Sequence, residues 1–97
     1  MATPTTTLPS FGDFAAQSRA AGFSEVVERH WDPGVEVAEH GHPFALEALV
    51  AEGEMWLTIG TATRHLRPGD RFALAREAPH AERYGGAGAV VWVARRP

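Results

Sequence analysis

From Phe23 onward the chain alternates short apolar runs with turn chemistry at near-regular intervals. Glu25–Trp31 stops at Asp32-Pro33-Gly34, where proline and glycine stand in the order a β-turn takes. Val35–Glu39 leads into His40-Gly41-His42, and Phe44–Glu52 ends at Gly53. Met55–Ile59 meets Gly60-Thr61, a glycine-first pair suited to a two-residue hairpin. Ala62–Leu66 ends at Arg67-Pro68-Gly69-Asp70, and Phe72–Ala75 follows. His80–Tyr84 runs into a loop, Gly85-Gly86-Ala87-Gly88, and Ala89–Ala94 is a continuous apolar strand. Seven or eight short strands at this spacing predict an all-β antiparallel sandwich or barrel. No repeat or linker divides it, so residues 23–97 are expected to form one β domain.

Residues 1–22 have a different character. The first nine are rich in Thr and Pro and lack apolar periodicity, as in a draped tail. Ser10 can cap a helix, Asp13 stands three positions on, and Phe11, Phe14 and Ala15 share one face. Gly22 fits the residue just past a helix end. This segment is expected to be an arm with a short helix; the alternative is an irregular lead-in that lays Phe11 and Phe14 on a sheet.

Composition narrows the function classes. At 97 residues and 10.5 kDa, with 44% apolar and 22% charged residues, the chain is an ordinary single globular unit. It has no cysteine, which removes disulfides, thiolate metal sites and cysteine nucleophiles. The formal charge is −3 and the nine basic residues are dispersed, which argues against a nucleic-acid partner. No apolar run approaches the roughly 20 residues of a membrane span, and the N-terminus lacks the pattern of a signal peptide. No membrane partner is expected, and a cytoplasmic location is. All nine basic residues are arginine and alanine is abundant, which suggests a GC-rich, bacterial source.

Histidine carries the chemistry. His40 and His42 stand two apart on an extended stretch, so both project from one face and can share a metal ion. His80 opens a later strand. His30, beside charged residues, and His65, in a polar hairpin arm, are expected to be structural or solvated. Phe44 shares the face of His40 and His42 and would wall a ligand space. Met55 and Trp56 are adjacent and must face opposite sides, which leaves one on an outer surface suited to an interface.

These residues match a family pattern. Gly34-VEVAE-His40-Gly-His42-PFAL-Glu47-ALVAE-Gly53 resembles the first motif of the cupins, and Gly60-TATRHLR-Pro68-Gly69-Asp70-RFALAREA-Pro79-His80-AER-Tyr84 resembles the region of the second. The resemblance spans about residues 25–95 and is similar to small, stand-alone bacterial cupins of the RmlC-like type. It implies a double-stranded β-helix, or jelly-roll, barrel and a homodimer. It also implies metal ligation by His40, His42 and His80. The metal would be a divalent transition ion (Zn, Fe, Ni, Mn or Cu), since imidazole suits this group.

The chain departs from the motifs at two places. Counted back from Gly53, the motif's glutamate falls on Leu46 rather than Glu47. Alternation then turns Leu46, Ala48 and Val50 inward and Glu47 and Leu49 outward, unless a bulge between His42 and Ala48 shifts the parity. Glu82 is the other candidate carboxylate, because His80, Glu82 and Tyr84 alternate on one strand. Tyr84 takes the place of the motif's asparagine. Glu47 or Glu82 is thus a possible fourth metal ligand, Glu82 and Tyr84 are the candidate catalytic groups, and Phe44 and Tyr84 would contact substrate. Glu77 stands where the second motif carries glycine, a site where positive φ would strain it.

Two functions from different classes follow. One is a metal-dependent cupin acting on a small organic substrate, as an oxygenase or isomerase. The alternative is a non-catalytic module that binds a sugar or organic acid. A metal that only stabilises the fold is a third reading.

Overall fold

The computed structural model describes residues 8–97; the expected tail lies largely outside the described residues. Helix α1 (Phe11–Ala20) precedes six strands: β1 (Glu25–Trp31), β2 (Glu36–His40), β3 (Ala45–Ile59), β4 (Ala62–Leu66), β5 (Arg71–Leu74) and β6 (His80–Arg96). All strand pairs are antiparallel. The long β3 and β6 pair with each other, and every other strand attaches to one of them. Leu46–Leu49 of β3 pair with β5 on one side and with Trp92–Arg95 of β6 on the other, beyond which lies β1. Met55–Thr58 pair with β4 and with Ala81–Tyr84 of β6, beyond which lies β2. Folded over at mid-length, this ladder makes two facing halves around one core: a jelly roll.

The strand count differs from the sequence expectation. Gly53 does not end a strand, and Gly85–Gly88 is not a loop; both stretches lie within continuous strands. Gly53 and Gly88 have φ of +74° and +77°, which L side chains avoid. A Cβ on Gly53 would lie 2.1 Å from the Gly88 carbonyl oxygen. The two glycines mark the fold line at which β3 and β6 pass from one half to the other. Bulges at Val50/Glu52 and Gly53/Met55 adjust the register there. Val50 and Met55, five positions apart, therefore both point inward and are fully buried.

The turns and the helix follow local chemistry. The Ser10 hydroxyl accepts from Asp13 N–H at 3.1 Å, and Gly22 takes φ +99° just past the C-terminus. Phe11 and Phe14 pack on Trp92 at ring distances of 5.7 and 5.8 Å, so α1 covers the outer face of the β6–β3 half over Leu49. Burying a ring such as Phe14 contributes roughly 1.5–3 kcal/mol. The segment is a capped helix, not an irregular lead-in. Met55 is the inward member of its pair. Trp56 lies on the outer face, stacked on His65 at 4.6 Å with the Arg83 guanidinium over its ring at 4.0 Å. Among the described residues, no helix is long and apolar enough to cross a membrane.

Candidate metal centre

His40 closes β2, His42 follows in the turn, and His80 opens β6 directly opposite His40 in the ladder. One ligand nitrogen from each of the three lies within 4.8 Å of the others. The loop before β6 holds this arrangement. Glu77 adopts φ +64°, and its N–H donates to the His42 carbonyl at 2.8 Å. A side chain at Gly41 would come within 3.1 Å of the Glu77 carbonyl oxygen, so glycine between the histidines lets the loop dock. The left-handed conformation expected of a glycine is thus kept by glutamate, and its strain is carried by the docked loop.

Hydrogen bonds assign the tautomers. His40 Nδ1–H donates to Ala38 O at 2.8 Å, and His80 Nδ1–H donates to Ala78 O at 2.9 Å. In its neutral form each ring then carries its lone pair on Nε2. His80 is 1% exposed, and its Nε2 is buried with no hydrogen-bond partner. Glu82 Oε1 lies 3.2 Å from it without forming a hydrogen bond. The same oxygen is 3.8 Å from His40 Nε2. With both rings neutral, lone pairs from two imidazoles and a carboxylate face one another. Burial, then the neighbouring His40 and His80, hold the His42 pKa below the ordinary histidine value.

Tyr84 completes the carboxylate's setting: its Oη–H donates to Glu82 Oε2 at 2.8 Å. Burial, and then the Glu82 charge, push the phenol pKa far above its usual value, so Tyr84 stays protonated and fixes Glu82. The cluster opens on a cavity of about 260 Å³ between the two halves. Phe44 lines it, stacked on His42 at 4.8 Å.

Glu47 is elsewhere. The register from Ala45 to Leu49 runs without a bulge, so Glu47 is exposed on the outer face, opposite Ala73 and Ala94. The irregularities that would have turned it inward come after Val50, too late to change its parity. His30 pairs with Glu28 at 2.9 Å and His65 with Glu54, both outside the cluster. Arg29 and Trp31 of β1 and Arg95 of β6 also line the cavity, and the sequence had pointed to none of these three. Alternation alone could flag Arg95, two residues beyond Val93, but the placement of β1 beside β6 needed the fold.

No family model matches the chain, and no curated protein does. Solved structures do. An RmlC-like cupin from Shewanella frigidimarina superposes with a TM-score of 0.64 at 22% identity, over 74% of this chain and 65% of that one. The chain has the cupin fold. The DMSP lyase DddQ from Ruegeria pomeroyi gives a TM-score of 0.64 at 27% identity over 74% of this chain, which spans only 36% of the lyase chain. A protein of unknown function from Rhizobium leguminosarum gives 0.70 at 17% identity, over 74% and 68% of the two chains. Against a pair of DMSP lyase structures, RdDddP and RnDddQII, this chain likewise spans only 37% of the matched chain.

The donor set of this site fits a transition metal. A buried, unpartnered imidazole nitrogen is costly unless something accepts its lone pair. The neutral-imidazole tautomers, fixed through Nδ1–H to backbone carbonyls, are those found at metal-ligating histidines.

Proposed function

We propose that this cupin binds a divalent transition metal through His40, His42 and His80, with Glu82 Oε1 as fourth donor, and acts on a small organic molecule in the adjoining cavity. The observation that carries this reading is the orphaned, buried Nε2 of His80 facing a carboxylate oxygen at 3.2 Å. Such a pair of acceptors calls for a cation between them. A metal bound here would supply Lewis acidity toward an oxygen-bearing ligand.

The chain's own groups would do the rest. Tyr84, held protonated, orients Glu82 through its hydroxyl. His42, favoured in its neutral form by burial, keeps a lone pair available to lower pH than a free histidine does. Phe44 and the apolar cavity wall exclude water from one side of the site. Zinc, iron, nickel, manganese and copper are all compatible with imidazole and carboxylate donors.

Elemental analysis of protein purified without a histidine tag, beside His40→Ala, tests the reading. About one equivalent of a transition metal, lost in the variant, is the expected result. Absence of metal, with none taken up after incubation with several divalent ions, would overturn it and favour a metal-free ligand-binding module.

A further inference from the structure

We infer that the ligand of this cavity is a small organic carboxylate and that Arg29 anchors its carboxylate group. The inference deepens the small-molecule reading of the site and rests on it. Arg29 lies opposite Val91 in the β1–β6 ladder, and Val91 is a buried residue of the inner face, so Arg29 belongs to the cavity side. Its guanidinium carbon is 4.7 Å from the centre of the Trp31 ring. Trp31 in turn stacks on Tyr84 at 4.3 Å and 9°, and Tyr84 holds Glu82. Arg29 is thus linked, through one aromatic layer, to the hydroxyl that holds the carboxylate facing the histidine cluster.

Two arginines line the cavity. Among the described residues Arg29 has no ion pair and no side-chain hydrogen bond, whereas Arg95 is tied to Glu25 through one terminal nitrogen at 3.3 Å, with its buried Nε left unpartnered. Its neighbours Glu28 and His30 are on the other face of β1, bonded to each other, and Glu28 also accepts from Trp92 Nε1. Glu82 is the carboxylate lining the cavity, where it accepts from Tyr84 and faces the histidines. A planar fork of donors beside an apolar cavity is suited to bidentate recognition of a carboxylate. A metal among neutral histidines would raise the positive charge further and favour an anion.

The size and walls set the rest of the ligand. At about 260 Å³ the cavity is smaller than the 300–1,000 Å³ typical of drug-sized sites. Phe44, Leu46, Phe72, Leu74 and Val91 provide apolar walls. This combination suits a short acid with an apolar body, its carboxylate on Arg29 and its far end toward the histidines.

Calorimetric titration with benzoate and isobutyrate, and with benzamide and isobutyramide as neutral counterparts, tests this on metal-loaded and metal-stripped full chain. At least one acid should bind, with its amide tenfold weaker or worse. Arg29→Gln should weaken the acid about tenfold in both forms without changing metal content, and Arg29→Lys should recover part of the loss. Arg83→Gln removes the same charge from the outer face and should bind as wild type does. Acid affinity unchanged in Arg29→Gln, or equally reduced in Arg83→Gln, overturns the inference, as does failure of both acids to bind wild type. Metal content, measured on the same samples, judges the metal separately: a chain that takes up none still reports on Arg29 through the stripped-protein titrations.

Discussion

Replacing Glu82 by glutamine should separate two properties that usually move together. Without metal, Glu82 Oε1 and His80 Nε2 are two acceptors 3.2 Å apart in a nearly closed site, with Glu82 only 10% exposed at its side chain. Glutamine keeps an oxygen for the Tyr84 hydroxyl and offers an N–H to the histidine nitrogen. One new hydrogen bond with a net worth of about 1 kcal/mol follows. For a domain of this size that raises Tm by roughly 4–8 °C. With metal the order reverses. At a metal concentration a hundredfold above Kd, wild type gains about 2.7 kcal/mol. If the amide weakens binding tenfold to a hundredfold, as changes around metal ligands do, the gain at the same concentration falls to about 1.4–0.4 kcal/mol. Thermal or urea unfolding at pH 8, with chelator and with added zinc, reads both effects. A metal-free Glu82→Gln protein less stable than wild type would place a proton on His80 Nε2 and make Glu82 its ion-pair partner. Together with an undiminished zinc shift, that result would refute the cation-site reasoning.

Other substitutions probe the frame around the site. Glu77→Gly keeps the N–H bonded to His42 while relieving a left-handed φ of +64°. Strain relief of about 1–2 kcal/mol, less the entropy glycine adds to the unfolded chain, should leave a net gain of about 0.5–1 kcal/mol; a lower Tm would show the loop is not strained. Gly53→Ala puts a Cβ against the Gly88 carbonyl at 2.1 Å and should cost about 3 kcal/mol or more in urea unfolding; a near-neutral result would remove Gly53 from the fold line. Because the His42 pKa is held below 6.5, the unfolded chain binds a proton first as pH falls. Metal-free protein should therefore lose stability from pH 6.5 downward until folded His42 itself titrates, and His42→Phe should lose less over that range; identical pH profiles would contradict this. Glu47→Gln and His65→Ala should keep wild-type metal content by elemental analysis, and loss in either would place that residue in the site.

Much of this protein was legible in one dimension. Turn chemistry at Asp32-Pro33-Gly34, Gly60-Thr61 and Arg67–Asp70 marked real turns, because those conformations depend on the few residues that make them. Strand alternation placed Leu46, Ala48 and Val50 inward and Glu47 outward, and put Glu82 on the side of His80, because a period of two holds wherever the register is unbroken. Local pattern could not tell a glycine that ends a strand from one that bends it. Gly53 and Gly88 have their meaning only because β3 and β6 cross there with no room for a side chain.

Nor did any local rule bring β1 beside β6, which pairs Glu25–Trp31 with Ala89–Arg95 more than fifty residues away and delivers Arg29 and Trp31 to the cavity. Composition and strand alternation set which side chains were available and which face of its own strand each would take. Which faces meet follows from the assembled fold, since strand pairing over long separations depends on closure of the whole core. That closure leaves His80 Nε2 buried without a hydrogen-bond partner.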